Sequence, residues 1–141
     1  LSRHKAEIYG FDSFEGLEED WLTHEFFPKG SLSLQKKIPK VLNNVKLIEG
    51  KIQETLVQFL KKNSSKKIIF AHMDMDTYES TKYALEKIKP FLQKGSVILF
   101  DEFYGHPNWK KEEYKAFTEV FSEGEFKYIA FCENEVAIEV I

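Results

Sequence analysis

Two stretches, KKIIFAHM (66–73) and GSVILF (95–100), are apolar almost without a break and stop abruptly at acidic residues. Runs this short and continuous read as β-strands covered on both faces, because a strand with one wet face alternates apolar and polar residues. A sheet covered on both faces needs helices packed above and below it. That restricts the chain to α/β architectures.

The other patterns fit the restriction. AEIYGF (6–11) and NVKLIEG (44–50) predict two more strands, while FKYIAF (126–131) and EVAIEVI (135–141) predict a closing hairpin turned by CENE. Ile52, Leu56, Phe59 and Leu60 recur at helical spacing and predict a helix over 52–62. Tyr78, Leu85, Ile88 and Leu92 predict a second from 78 to about 92, which Pro90 should end or kink. Tyr114, Phe117 and Phe121 mark a third, stopped by Gly124. From Leu17 to Asn44 no period holds, although the segment carries Trp21, Phe26, Phe27, Pro28, Gly30 and Pro39. It predicts a long excursion with at most one short helix, of the kind that serves as a lid or binding loop. The whole reads as one α/β domain over 1–141, mostly parallel, with an antiparallel C-terminal edge strand.

Composition excludes some functions. A formal net charge of −3, with the lysine pairs dispersed, argues against nucleic acid held by bulk charge and against a polybasic membrane anchor. No apolar stretch approaches the ~20 residues of a membrane span. The single cysteine, Cys132, sits in an aromatic strand and reads as core. One cysteine forms no internal disulfide, so a reducing cytoplasm is the expected compartment.

Acid follows every strand before the hairpin: Asp12, Glu49, Asp74 with Asp76, and Asp101 with Glu102. If those strands are parallel, the carboxylates share the rim where open α/β sheets bind ligands. Residues i and i+2 of an extended segment point the same way, so Asp74 and Asp76 face one cavity if the strand geometry continues that far. Repulsion among such groups must be offset by protonation, basic partners or a cation. Lys51 is the only basic residue within these motifs, and Arg3 is the only arginine in the chain. A hard divalent ion such as Mg²⁺ suits that composition. The plain alternative is that Asp76, with Thr77 and Glu79, begins the second helix and complements its dipole. His72 reads as a hydrogen-bonded structural residue inside its strand, and His106 as an exposed loop histidine.

IYGFDSFEGL, VKLIEGKIQETL, FAHMDMDTYEST and VILFDEFY resemble, in order and spacing, the macrocin O-methyltransferase (TylF-type) family. The resemblance covers roughly residues 8 to 125. It implies a Rossmann-like class I methyltransferase sheet and transfer of a methyl group from S-adenosylmethionine (SAM) to a sugar hydroxyl of a small molecule. It also implies that Asp12, Ser13, Gly50, Lys51 and Ile52 border the SAM site. Asp74, Asp101 and Glu102 become Mg²⁺ ligands, and Asp76 becomes the general base. The family usually has Asp-Asp where this chain has Asp101-Glu102. Its first strand, with a Gly-rich SAM loop, should precede Ala6 and lie between the FDSFEGL and DxD strands. Its absence implies a partial domain, the C-terminal two-thirds, with exposed edges through which the chain could self-associate.

Two other functions compete. A metal-dependent glycosyltransferase would use Asp74 and Asp76 to hold a nucleotide-sugar, leaving Asp12-Ser13 and Asp101-Glu102 without roles. A truncated, catalytically silent relative would keep the fold and lose the chemistry.

Overall fold

The computed structural model describes residues 6–141. Eight strands and three α-helices follow in the order β1 (Ile8–Asp12), β2 (Trp21–Leu22), β3 (Phe26–Phe27), β4 (Val45–Glu49), α1 (Ile52–Lys62), β5 (Ile68–Met73), α2 (Tyr78–Ile88), β6 (Leu92–Phe100), α3 (Glu113–Val120), β7 (Phe126–Cys132) and β8 (Glu135–Val140). Pro90 ends α2 as its missing N–H requires, in a single 3₁₀ turn over Lys89–Phe91.

β1 and β4 pair in parallel, Asp12 opposite Glu49. The larger sheet has the order β5-β6-β8-β7. Its β5 and β6 are parallel, with Met73 opposite Phe100. β8 runs antiparallel to β6 and to β7, so the closing hairpin places it between them. Among the described residues no hydrogen-bonded strand joins β1 to β5, the position that the resemblance assigns to a further strand.

β2 and β3 form a separate two-residue antiparallel pair, and the helices hold the β1–β4 pair and the larger sheet together. α1 buries Leu56 and Leu60, and Phe59 meets Phe11 of β1 edge-on at 5.2 Å. Tyr83 of α2 donates its hydroxyl proton to the Gln53 carbonyl of α1 at 3.0 Å. α2 and α3 then cover one face of the larger sheet over Ile98, Phe100, Val136 and Ile138, all fully buried. Phe100, Phe103 and Phe117 form the aromatic centre, with ring centroids 5.0 to 5.6 Å apart. Truncating Phe117 to alanine would cost about 3–5 kcal/mol.

The opposite face departs from expectation. Ile69 and Phe70 are 63% and 56% exposed, so β5 is not covered on both sides as its apolar run predicts. Cys132 is exposed at the end of edge strand β7, not core. The excursion between β1 and β4 contains only the two-residue strands β2 and β3, and no helix. No helix among the described residues is long and apolar enough to cross a membrane.

Candidate active site

β1 and β4 end together, Asp12 opposite Glu49, and β5 and β6 end together, Met73 opposite Phe100. The Asp74 carboxyl is displaced upward from its ordinary range, first by poor solvation and then by Asp101, with Asp12 adding to the effect and His72 opposing it. Such coupling requires the ends of β1, β5 and β6 to be neighbours. The backbone supports the same arrangement, since Asp101 donates its N–H to the Met73 carbonyl at 3.0 Å.

Strand geometry does not carry Asp74 and Asp76 into one cavity. β5 stops at Met73, and Asp76 has φ +60°, in the left-handed region. Thr77 donates its N–H to the Met75 carbonyl, closing a three-residue turn centred on Asp76. That turn is strained, and aspartate tolerates it better than most residues. It nevertheless leaves Asp76 close to the other acids. The carboxyl is pushed up to about 7, mainly by burial and then by Asp74, Glu102 and Asp101.

Asp76 is not a cap. The residue preceding α2 is Thr77, whose side chain makes no capping hydrogen bond. The N–H of Tyr78, first in the helix, goes to Glu112 Oε2 at 3.1 Å. The base candidate is therefore held in place by the turn and spent on nothing else in the helix start.

Asp101 and Glu102 leave β6 into a loop tied down on several sides. Phe103 and Tyr104 donate their N–H groups to the Asn134 carbonyl in the β7–β8 turn, at 2.9 and 3.3 Å. His72 and His106 exchange their expected roles. His72 is exposed, with Nε2 3.5 Å from Asp101 Oδ1. His106 is buried, its Nε2 2.9 Å from the Glu102 carbonyl oxygen and its Nδ1 2.8 Å from that of Pro107. It pins the loop.

On the β1–β4 side, Asp12 Oδ1 accepts the Phe14 N–H at 2.7 Å and Ser13 Oγ accepts that of Glu15 at 3.2 Å. Gly50 has φ +128° and donates its N–H to the Asp12 carbonyl at 3.0 Å, joining the two strand ends. Lys51 directly precedes α1 and reaches Glu18 of the excursion at 3.1 Å. Ile52, half-buried, packs on the core at the start of α1. These five border one end of the β1–β4 pair, beside the acidic rim.

The donor chemistry suits a hard cation, because the acids are oxygen ligands and, among the described residues, no lysine is paired with Asp74, Asp76, Asp101 or Glu102. Their arrangement is open. Among the described residues no group of three or more His, Cys, Asp or Glu stands close enough to hold a metal ion.

The sequence profile described as a methyltransferase domain matches residues 1–103. The chain belongs to the methyltransferase domain family. This agrees with the resemblance to the macrocin O-methyltransferases and with the mixed α/β fold. The methyltransferase domain is similar in structure to CalS11, described as a calicheamicin methyltransferase, at a TM-score of 0.72 and 25% identity. That match covers 94% of this chain and 60% of the other. An apo structure of CalS11, described as a TDP-rhamnose 3′-O-methyltransferase, matches at 0.60 and 32% identity over 70% of this chain and 43% of that one. The O-methyltransferase NovP shares the fold at 0.62 and 16% identity, over 94% and 59%. The methyltransferase domain thus spans about 60% or less of the length of these neighbours. No curated protein sequence matches it.

Sequence reasoning missed Glu112, Glu113 and Asn134, all of which hold the site. An acid at the start of a helix or an asparagine in a hairpin turn reads as surface, and the signal that separates these from ordinary ones is tertiary.

Proposed function

We propose that the protein to which this chain belongs is a SAM-dependent O-methyltransferase acting on a hydroxyl of a sugar or glycosylated small molecule. The observation that carries this reading is the match of residues 1–103 to the methyltransferase domain family, in a chain whose acid-tipped β5 and β6 end together, the Asp101 N–H reaching the Met73 carbonyl at 3.0 Å. The description of CalS11 as a TDP-rhamnose 3′-O-methyltransferase supports a sugar acceptor. The single cysteine supports a reducing cytoplasm as the compartment.

In this reading Asp12, Ser13, Gly50, Lys51 and Ile52 border the SAM site, and Asp74, Asp101 and Glu102 would hold Mg²⁺. Bound SAM supplies the electrophilic methyl group, and bound Mg²⁺ lowers the pKa of the acceptor hydroxyl and orients it. Asp76 would take the proton of the acceptor hydroxyl at a carboxylate oxygen. The turn at Asp76 fixes where that oxygen waits. Self-association through the edges of β1 and β5 that are unpaired among the described residues is compatible with the same reading.

Calorimetry tests it. The chain should bind Mg²⁺, and Asp101→Asn should bind it more weakly. SAM should bind weakly to this chain and more tightly to a form extended upstream of Leu1. Equal Mg²⁺ binding by both proteins would remove the metal, and no SAM binding by the extended form would leave a silent relative.

A further inference from the structure

The pairing of edge strand β7 with β8 slips between Tyr128 and Ala130, which makes Ile129 the extra residue of a β-bulge. Tyr128 stands opposite Ile138, and Phe131 opposite Val136. Both of those partners are fully buried on the helix-covered face. Directly opposed residues share a face, so the bulge brings Phe131 to the side of Tyr128, where regular alternation would turn it away. Phe131 is nevertheless 61% exposed. Its ring centre lies 5.4 Å from that of Tyr128 and 6.0 Å from that of the half-buried Tyr104. The Phe131 and Tyr104 rings meet at 76°, forming a corner. The core gains little from a phenyl ring left in water, so packing does not account for where the bulge puts it.

This corner adjoins the acidic rim. Tyr104 follows Glu102 by two residues and donates its N–H to the Asn134 carbonyl. The Asn134 side chain donates to Glu102 Oε2 at 3.3 Å, and buried Glu113 accepts the Glu102 N–H at 3.1 Å. One hairpin turn thus supports both the aromatic corner and the Glu102 carboxylate. Apolar rings beside a few fixed polar groups are the usual make-up of a small-molecule site. Charge narrows what suits it. Among the described residues no lysine is paired with Asp74, Asp76, Asp101 or Glu102, so a diphosphate would meet repulsion that a neutral molecule avoids.

We propose that Phe131 and Tyr104 form a platform for a flat ring on the acceptor, which is a neutral glycoside with a ring aglycone and not a nucleotide-sugar. The inference rests on the O-methyltransferase reading and names the acceptor class within it. The sugar lies toward the acids, and the aglycone lies on the aromatic corner.

NMR titration of the whole chain with para-nitrophenyl rhamnoside and methyl rhamnoside tests the proposal, because the two differ only in the aglycone. The nitrophenyl glycoside should bind about three- to ten-fold tighter and shift the ring protons of Phe131 and Tyr104. Phe131→Ala should keep the parent's urea midpoint and bind the two glycosides within about two-fold of each other. Phe131→Leu keeps apolar bulk without a ring, should also lose the preference, and decides if alanine destabilises the edge strand. Equal affinities in the parent, no binding of either glycoside, or a preference that survives both substitutions would overturn the platform. TDP-rhamnose bound more tightly than either, with the same dependence on Phe131, would overturn the neutral acceptor. A dimer in sedimentation that Phe131→Ala dissolves would give the surface to a second copy and overturn the proposal as well. Failure of the methyltransferase reading is read separately, as absent SAM binding by the form extended upstream of Leu1, and it would take this acceptor assignment with it.

Discussion

Glu112 and Tyr78 meet across the gap between α3 and α2: the Glu112 carboxylate, from the residue before α3, accepts the first N–H of α2 at 3.1 Å. The helix beginning beside the acidic rim is capped from another element. That cap frees Asp76 from the work its position in the sequence invites.

Removing the cap should weaken the fold and leave the rim acids in place. Glu112→Ala should destabilise the chain by about 1 kcal/mol, the usual loss for a side-chain helix cap. Glu112→Gln should cost less, since an amide oxygen still accepts. Urea midpoints for the two variants check this, and identical midpoints would contradict it.

Asp76 should make stability depend on pH in a definite direction. Its carboxyl is pushed up to about 7 in the folded chain from an ordinary 3.8. Its contribution is therefore fully present below about pH 4 and is lost as pH rises through about 7. Relative to Asp76→Asn, the parent should lose stability across that window and run parallel to it on either side. Unfolding free energies at a series of pH values, without metal, would expose a flat difference if the group titrates normally.

Methyl transfer by a protein containing this domain should fall by about 10² to 10⁴ in Asp76→Asn, the usual share of a positioned base. SAM affinity should hold, because asparagine keeps the shape of the side chain. Loss of both together would mean that Asp76 maintains the fold rather than the chemistry.

Gly16 should be intolerant of any side chain. It has φ +89°, and a Cβ there would collide with the Ser31 carbonyl oxygen and crowd the Gly30 carbonyl oxygen and the Ser33 backbone nitrogen. Around it Leu17 donates its N–H to the Ser31 carbonyl and Gly30 donates to that of Leu17, both at 2.9 Å. Gly16→Ala should cost roughly 1–3 kcal/mol and speed proteolysis between 17 and 44. An unchanged cleavage pattern would show that the excursion is pinned elsewhere.

Local periodicity made much of the fold legible. α1 spans 52–62 as its apolar spacing predicts, and the hairpin follows from two apolar runs around Glu133-Asn134. The pairing of β1 with β4 and of β5 with β6 was readable, because acid-tipped apolar runs separated by a crossover predict parallel strands that share an end. What escaped was everything decided by a second element. His72 looks interior from its apolar neighbours, yet the face it occupies is open. His106 looks like loop surface, yet its loop folds back under the hairpin turn. Asp74 and Asp76 come together through a strained turn, which i and i+2 spacing cannot anticipate. Glu113 carried the ordinary signature of a helix start.

The division of the strands into a pair and a foursome has a consequence for how the molecule breathes. Two paired strands are marginal by themselves, so β1 and β4 depend on Phe11, Phe59 and the α1–α2 contact for their persistence. Amide protons of Gly10 and Leu47 should exchange with solvent through partial opening, well before those of Ile98 and Ile138, which await global unfolding. Asp12, Gly50 and Lys51 hang on the looser unit, and Asp74, Asp101 and Glu102 on the firmer one. Anything that bridges the two would be registered first as slowed exchange in β1 and β4.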